Sequence, residues 1–488
     1  LGREAFEAVL RGSKKVPDSR RNRKLRDKVI FGTAFHTPAR GRLEVLRDAL
    51  IVVAGDGRIT EVIAQGSGDH DAARARAAEQ GRLVELGAGE VLLPGLVDLH
   101  IHAPQWPQLG KALDVPLEVW LRKHTFPLEA RYADVAFART IYDDLVSGLV
   151  ANGTTTAVYF ATIHMEASLA LAEICRARGQ RAFVGKVAMD DPDQCPPFYR
   201  DENAATALDE MRRFIEAVRA IAPGGDALVH PIITPRFIPS CTDELLAALG
   251  RLAAETGCLV QTHCSESDWE KSFVEQRFGR SDAAVLAGFG LLRQHTVLAH
   301  SNFVSDDDLD LIRARGAAVA HCPLSNAYFA EAVFPLREAL DRNVRVGLGT
   351  DISGGHSPSL LDGCRHALMA GRMRQGGVDA GLPRDRRGVA DARITVAEAF
   401  WLATAGGGEA LGLDVGKFAA GCKFDALRID VEADGSNVRV WPDLDEPEDV
   451  FQKIVLNAGR ANIRQVWVDG VCVGGTAGDA GQRASVSR

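Results

Sequence analysis

The sequence predicts an α/β protein: a (β/α)₈ barrel of the TIM type, with a small β-sandwich domain built from both chain ends. Three observations predict it. After Pro94, β-rich runs of five to seven residues alternate with longer amphipathic stretches, the pattern of a parallel sheet with crossover helices. Before Pro94 and again after Gly412, β-rich runs follow one another without helical periodicity between them. Four of the barrel runs end in histidine, three of them in the candidate ligands His102, His263 and His300, and another leads into aspartate, at the end of the strands where such barrels carry their sites.

Taken in chain order, residues 1–27 include a stretch dominated by Lys and Arg (KKVPDSRRNRKLRDK, ending at Lys28), which is expected to be a solvated, flexible extension. The runs VIFGTAF, ALIVVA, ITEVIA, RLVEL and EVLLP then read as short strands, with ALIVVA and ITEVIA joined across Gly55-Asp56-Gly57, a hairpin signal. Residues 28–93 and 412–475, the latter with GKFAAGCKFDALRID and IRQVWVDGVCV, are expected to share the small domain. The barrel is expected over 94–411. Its eight strand candidates are Leu96–His102, Thr155–Phe160, Ala182–Ala188, Leu228–Thr234, Leu259–His263, Thr296–His300, Ala317–His321 and Val344–Thr350. Between them, stretches such as DELLAALGRLAAETG (243–257) and DDLDLIRARG (307–316) repeat apolar residues at helical spacing and end in Gly. Residues 476–488 read as a flexible tail.

Composition excludes several classes of function. With 46% hydrophobic and 25% charged residues the chain lies in the ordinary globular range. A net charge of -8 supplies no field attracting phosphate backbones or anionic lipid, so neither nucleic acid nor membrane is an expected partner. No apolar run approaches the roughly 20 residues of a membrane span. The nine cysteines are scattered without a CxxC pair, which argues against a disulfide framework or a cysteine-rich zinc site and makes a reducing, cytoplasmic compartment the expectation.

The chemistry concentrates in five residues. His100 and His102 end the first barrel strand, His263 the fifth and His300 the sixth, and Asp351 follows the eighth. Residues i and i+2 of a strand share a face, so His100 and His102 can grip one ion. Imidazole nitrogens with one carboxylate oxygen suit zinc, with iron the nearest competitor. A lone histidine on a strand is usually structural, but four histidines and an aspartate at one end of separate strands make a poor coincidence.

In order and spacing, PGLVDLHIH, THCSE, LAH, HCPLSN and GTD resemble the metal-dependent deaminases of the amidohydrolase superfamily, over residues 28–475. A wider set (HIHAPQ, KHTFPLE, NGTTTAVYFATIH, GQRAFVGKVAMD, ITPRF, GLGTDISGG and GCKFDAL) is similar to its members that act on guanine. The resemblance implies hydrolysis of guanine to xanthine and ammonia by a water activated on one zinc ion, in a homodimer. It makes His100, His102, His263 and Asp351 metal ligands, and puts His300 at the ion or at its water. Glu266 would be the proton shuttle, Asp351 would accept a proton from the water, and Gln105, Arg236 and Phe237 would hold the purine. The implied roles make chemical sense. A shuttle must stay free of tight metal ligation to move protons. Arg236 offers donors suited to the guanine 6-oxo group, which adenine lacks, and Phe237 offers a stacking face.

Other histidines take plainer readings. His164-Met165-Glu166 matches the H-x-E of zinc deaminases related to cytidine deaminase, but their P-C-x-x-C half is absent. Binuclear relatives carry a bridging lysine where this chain has Arg236 near the end of the fourth strand, rather than Lys186, so a single ion is favoured. Leu324 after His321, and SNFVS after His300, depart from the superfamily's usual residues and leave the surroundings of the metal open. His36, His70, His230, His295, His356 and His366 read as structural or solvated. Two rivals stay in view. One is a deaminase or dechlorinase of the same superfamily acting on triazines, 8-oxoguanine or adenosine derivatives, and the other is a non-catalytic scaffold, disfavoured because the full ligand set is present.

Overall fold

The computed structural model describes residues 25–221 and 227–476. Most of the basic extension and the tail after Thr476 lie outside the described residues, so the expectation of flexibility there has no structural counterpart. The first sheet opens with β1 (Lys28–Ala39), β2 (Arg42–Val53), β3 (Ile59–Ile63), β4 (Leu83–Glu85) and β5 (Glu90–Pro94). β1 and β2 form a long antiparallel hairpin, and β2 and β3 close across the Gly55-Asp56-Gly57 turn. Helix His70–Glu79 stands between β3 and β4, where only strands are expected from the sequence.

The barrel comprises β6 (Leu96–His102), β7 (Thr154–Phe160), β8 (Arg181–Gly185), β9 (Val187–Ala188), β10 (Val229–Pro235), β11 (Leu259–Cys264), β12 (Val297–His300), β13 (Ala318–His321) and β14 (Arg345–Leu348). All pairings among them are parallel, in the order β14-β13-β12-β11-β10-β8-β7-β6, with β9 set against β10. Every residue of β6 and β7 is buried, as expected of strands covered on both faces. The ring closes past the end of β14: Asp351 N–H donates to the His100 carbonyl at 2.9 Å, and His102 N–H to the Ile352 carbonyl at 2.8 Å.

The third expected strand needs correction. It divides into β8 and β9 at Lys186, whose buried ammonium turns to Asp201 (2.9 Å) and Glu210 (3.2 Å). Just before the break the backbone approaches β10 so closely that a Cβ on Gly185 would lie 1.8 Å from Thr234 Oγ1. The helices behave as their sequences predict: Asp243–Thr256 starts on a Thr242 cap and Asp306–Arg315 on a Ser305 capping box, and each ends on a left-handed glycine.

After the barrel, β15 (Ala426–Asp430), β16 (Ile463–Val468) and β17 (Val471–Gly474) rejoin the first sheet. Its eight strands make one curled, continuous sheet, with β15 antiparallel to β5. Arg181 at the start of β8 is buried against Asp425 and Asp469, tying the returning strands to the barrel. The other end of the barrel is left free for a site.

Candidate active site

The five predicted ligands converge at the C-terminal ends of the barrel strands. His100 Nε2 lies 3.2 Å and His102 Nε2 3.6 Å from Asp351 Oδ1, and His300 Nε2 lies 3.8 Å from Asp351 Oδ2. His102 and His263 bring their Nε2 atoms within 3.0 Å of each other. All five side chains are buried. Two of the strand ends are conformationally strained, with His300 at φ +69° and Asp351 at φ +48°, a backbone state that non-glycine residues rarely adopt outside functional sites.

This donor set fits a metal ion. His263 Nδ1 sits 2.6 Å from the Arg236 carbonyl and His300 Nδ1 2.9 Å from Asn326 Oδ1, so in each ring Nδ1 carries the proton and Nε2 keeps its lone pair. Among the described residues no protein group donates to His100 Nε2 or His300 Nε2, although both are buried. Acceptor nitrogens turned toward one another with no donor between them are what a cation resolves. A tetrahedral zinc with bonds of about 2.1 Å sets its ligand atoms roughly 3.4 Å apart, inside the range of separations seen here. Burial lowers the pKa of His100, His102 and His263, which favours the neutral, ligating imidazole.

Glu266 stands beside this cluster, with Oε1 3.6 Å from His300 Nε2. Burial pushes its carboxyl pKa up, against the pull of His300, so the group can hold or release a proton nearer neutrality than an exposed glutamate. Its loop is fixed from two sides. The Glu266 N–H donates to Glu270 Oε2 at 2.7 Å, and the Glu266 carbonyl accepts from Asn302 Nδ2 at 2.9 Å. Asn302 belongs to SNFVS, so one departure from the superfamily pattern has a definite task.

Above the cluster opens a cavity of about 360 Å³, at the small end of the range for ligand sites. His102, His263, Glu266 and Asp351 line it, together with the expected purine contacts Gln105, Arg236 and Phe237. Aromatic side chains that the sequence reading passed over, Trp120, Phe126, Trp269 and Phe329, complete much of its wall. Phe126 belongs to KHTFPLE, a recognised motif given no task, and so does Glu129, which binds both Gln105 and Arg236 from behind the wall. Asn326, in HCPLSN, was likewise quoted without a role.

The plainer readings stand apart from the cluster. His164 occupies the N-cap position of helix Met165–Arg178, with no side-chain hydrogen bond to the first turn. His321 is buried against Phe334, and burial lowers its pKa to about 3. Lys186 is engaged with carboxylates rather than with the histidines.

Comparison with known proteins agrees with this architecture. The amidohydrolase family model matches residues 91–473. A guanine deaminase of Mus musculus is 38% identical over 91% of this chain and 95% of its own, and one of Dictyostelium discoideum is 36% identical over 91% and 97%. The crystal structure of a guanine deaminase from C. acetobutylicum, with guanine bound in its active site, superposes with a TM-score of 0.80 at 30% identity, covering 91% of this chain and 99% of that one. With a family match across most of its length and relatives of this identity over nearly their whole length, this chain belongs to the amidohydrolase family, alongside its guanine deaminases.

Proposed function

We propose that this chain hydrolyses guanine to xanthine and ammonia, with one zinc ion held by His100, His102, His263 and Asp351 and with His300 beside it. The observation that carries the proposal is the convergence of these five buried donors, three of which (His102, His263 and Asp351) line a cavity whose walls include Glu266, Gln105, Arg236 and Phe237. Guanine bound in the corresponding active site of the C. acetobutylicum relative supports the choice of substrate. Bound here, zinc would supply a Lewis acid that lowers the pKa of water from ~15.7 to about 7.

The chain's own residues do the rest. Arg236 donates to the 6-oxo group, Gln105 meets the same edge of the ring, and Phe237 packs on its face, which turns C2 toward the floor. Asp351 takes a proton from the attacking water. Glu266 takes the water's other proton and delivers it to N3 as the C2–O bond forms, and the proton held by Asp351 passes to the exocyclic nitrogen as the C2–N bond breaks. Water is consumed, ammonia leaves, and no oxidation state changes. The proposal extends to a homodimer as the working form.

Product analysis tests the chemistry directly. Purified protein should carry about one zinc per chain and convert guanine to xanthine and ammonia in equal amounts. Ammonia without xanthine, or activity from protein free of metal, would contradict the mechanism.

A further inference from the structure

Resting on the reading of Arg236 as the group that receives the purine carbonyl, we infer that Glu129 is a positioning residue that also sets specificity. By pairing with Arg236 and Gln105 together, it makes the substrate fork electrically neutral, so that the fork accepts an uncharged lactam and turns away anionic purines.

Glu129 ends the short helix Phe126–Glu129, and its side chain is fully buried. Glu129 Oε2 accepts from Arg236 Nη1 at 2.7 Å, and Oε1 accepts from Arg236 Nη2 at 3.3 Å and from Gln105 Nε2 at 2.9 Å. Both partners line the cavity, whereas Glu129 does not. One carboxylate therefore fixes two substrate-facing side chains that are far apart in sequence. Phe126, three residues earlier, lies under the Arg236 guanidinium at 5.1 Å, so one helical turn sets both the plane and the end of the fork.

The same contacts fix the orientation of the Gln105 amide. Its nitrogen faces an acceptor-only carboxylate, and its oxygen accepts from the Ser353 N–H at 3.2 Å. Neither contact survives a flip. Arg236 spends two of its five N–H donors on Glu129 and keeps the others for a ligand.

Charge gives this geometry its consequence. An unpaired buried guanidinium would draw anions strongly, including the product, since xanthine loses a ring proton more readily than guanine. With a carboxylate in direct contact, the wall donates hydrogen bonds without offering net positive charge. Neutral guanine is then recognised by its carbonyl, and ionised xanthine gains nothing from staying.

The test compares a neutral and an anionic purine that the enzyme cannot deaminate, hypoxanthine and urate. Each is titrated calorimetrically at neutral pH into the zinc-loaded protein. Glu129→Gln, which leaves Arg236 uncompensated, should raise urate affinity relative to hypoxanthine by about tenfold or more. Glu129→Asp, which keeps the charge on a shorter arm, should leave that ratio near the wild-type value while raising KM for guanine more than it lowers kcat. A merely structural role would weaken both ligands alike in both variants, so an unchanged ratio in Glu129→Gln overturns the inference. If Glu129→Gln does not fold, Arg236→Gln should move the ratio the opposite way, and failure to do so overturns it equally. Guanine turnover by the wild type is measured alongside. Its absence overturns the substrate reading, whereas an unmoved urate-to-hypoxanthine ratio overturns only the role of Glu129.

Discussion

Glu266 and the histidines near it divide the work of one small volume. Glu266, the proposed shuttle, sits 3.6 Å from His300, close enough to exchange protons with groups at the centre. Glu266→Gln should therefore lower kcat by roughly 10²–10⁴, the range for general acid–base groups, while elemental analysis still finds about one metal ion per chain. Loss of metal in that variant would mean that Glu266 is a ligand. His100→Ala or His263→Ala should do the reverse and remove metal and activity together, because each deletes one of the few imidazole nitrogens that hold the ion. At this scale the clustering of the proposed ligands was legible because strand alternation and the histidine spacing make them visible to each other. Glu129 and Asn326 were not, since their meaning lies in partners 107 and 26 residues away, a pairing created only by the closed barrel.

Strand ends position these side chains, and Asp98 ties the first to the last. Its carboxylate accepts from the His100 N–H (3.2 Å), the Thr350 N–H (3.0 Å) and the Thr350 hydroxyl (2.6 Å), and it is fully buried, which raises its pKa to about 7 despite these donors. Asp98→Ala would leave three buried donors unmatched next to two ligand-bearing segments. Denaturant unfolding should show a loss of about 3 kcal/mol, and zinc affinity should fall with it. Asp98→Asn, which keeps one acceptor oxygen in place, should cost less. A variant as stable as wild type would remove Asp98 from the account of barrel closure. Most strands were readable because burial on both faces gives continuous runs of β-branched and aromatic residues such as TTTAVYF. The break at Lys186 was not, because β-propensity continues through it and only the carboxylates of Asp201 and Glu210 turn the side chain aside. Helix His70–Glu79 was missed for a related reason: it buries only His70 and Ala77, so it has no apolar stripe to read.

On the scale of the whole molecule, the sheet from both chain ends anchors one side of the barrel and leaves the opposite end for chemistry. Met369 and Met373, one turn apart on helix Leu360–Gly376, are 59% and 53% exposed, with Val378 nearby at 78%. Such grouped apolar exposure suits a second copy better than water. Light scattering should give twice the chain mass, and Met373→Glu should shift it toward monomer without removing metal. A monomeric wild type would contradict the proposed homodimer. Substrate choice belongs to this scale as well, since the wall that reads the purine is assembled from the segments carrying Gln105, Glu129 and Arg236. Adenine would turn an amino donor toward the Arg236 donors in a desolvated pocket. The most direct measurement is the ratio of kcat/KM for guanine to that for adenine, followed by ultraviolet absorbance on zinc-loaded wild-type protein. A site built to bond one group rejects an analogue lacking it by about 10⁴–10⁵, and the ratio should approach that value. Comparable turnover of adenine, or none of guanine, would contradict the account.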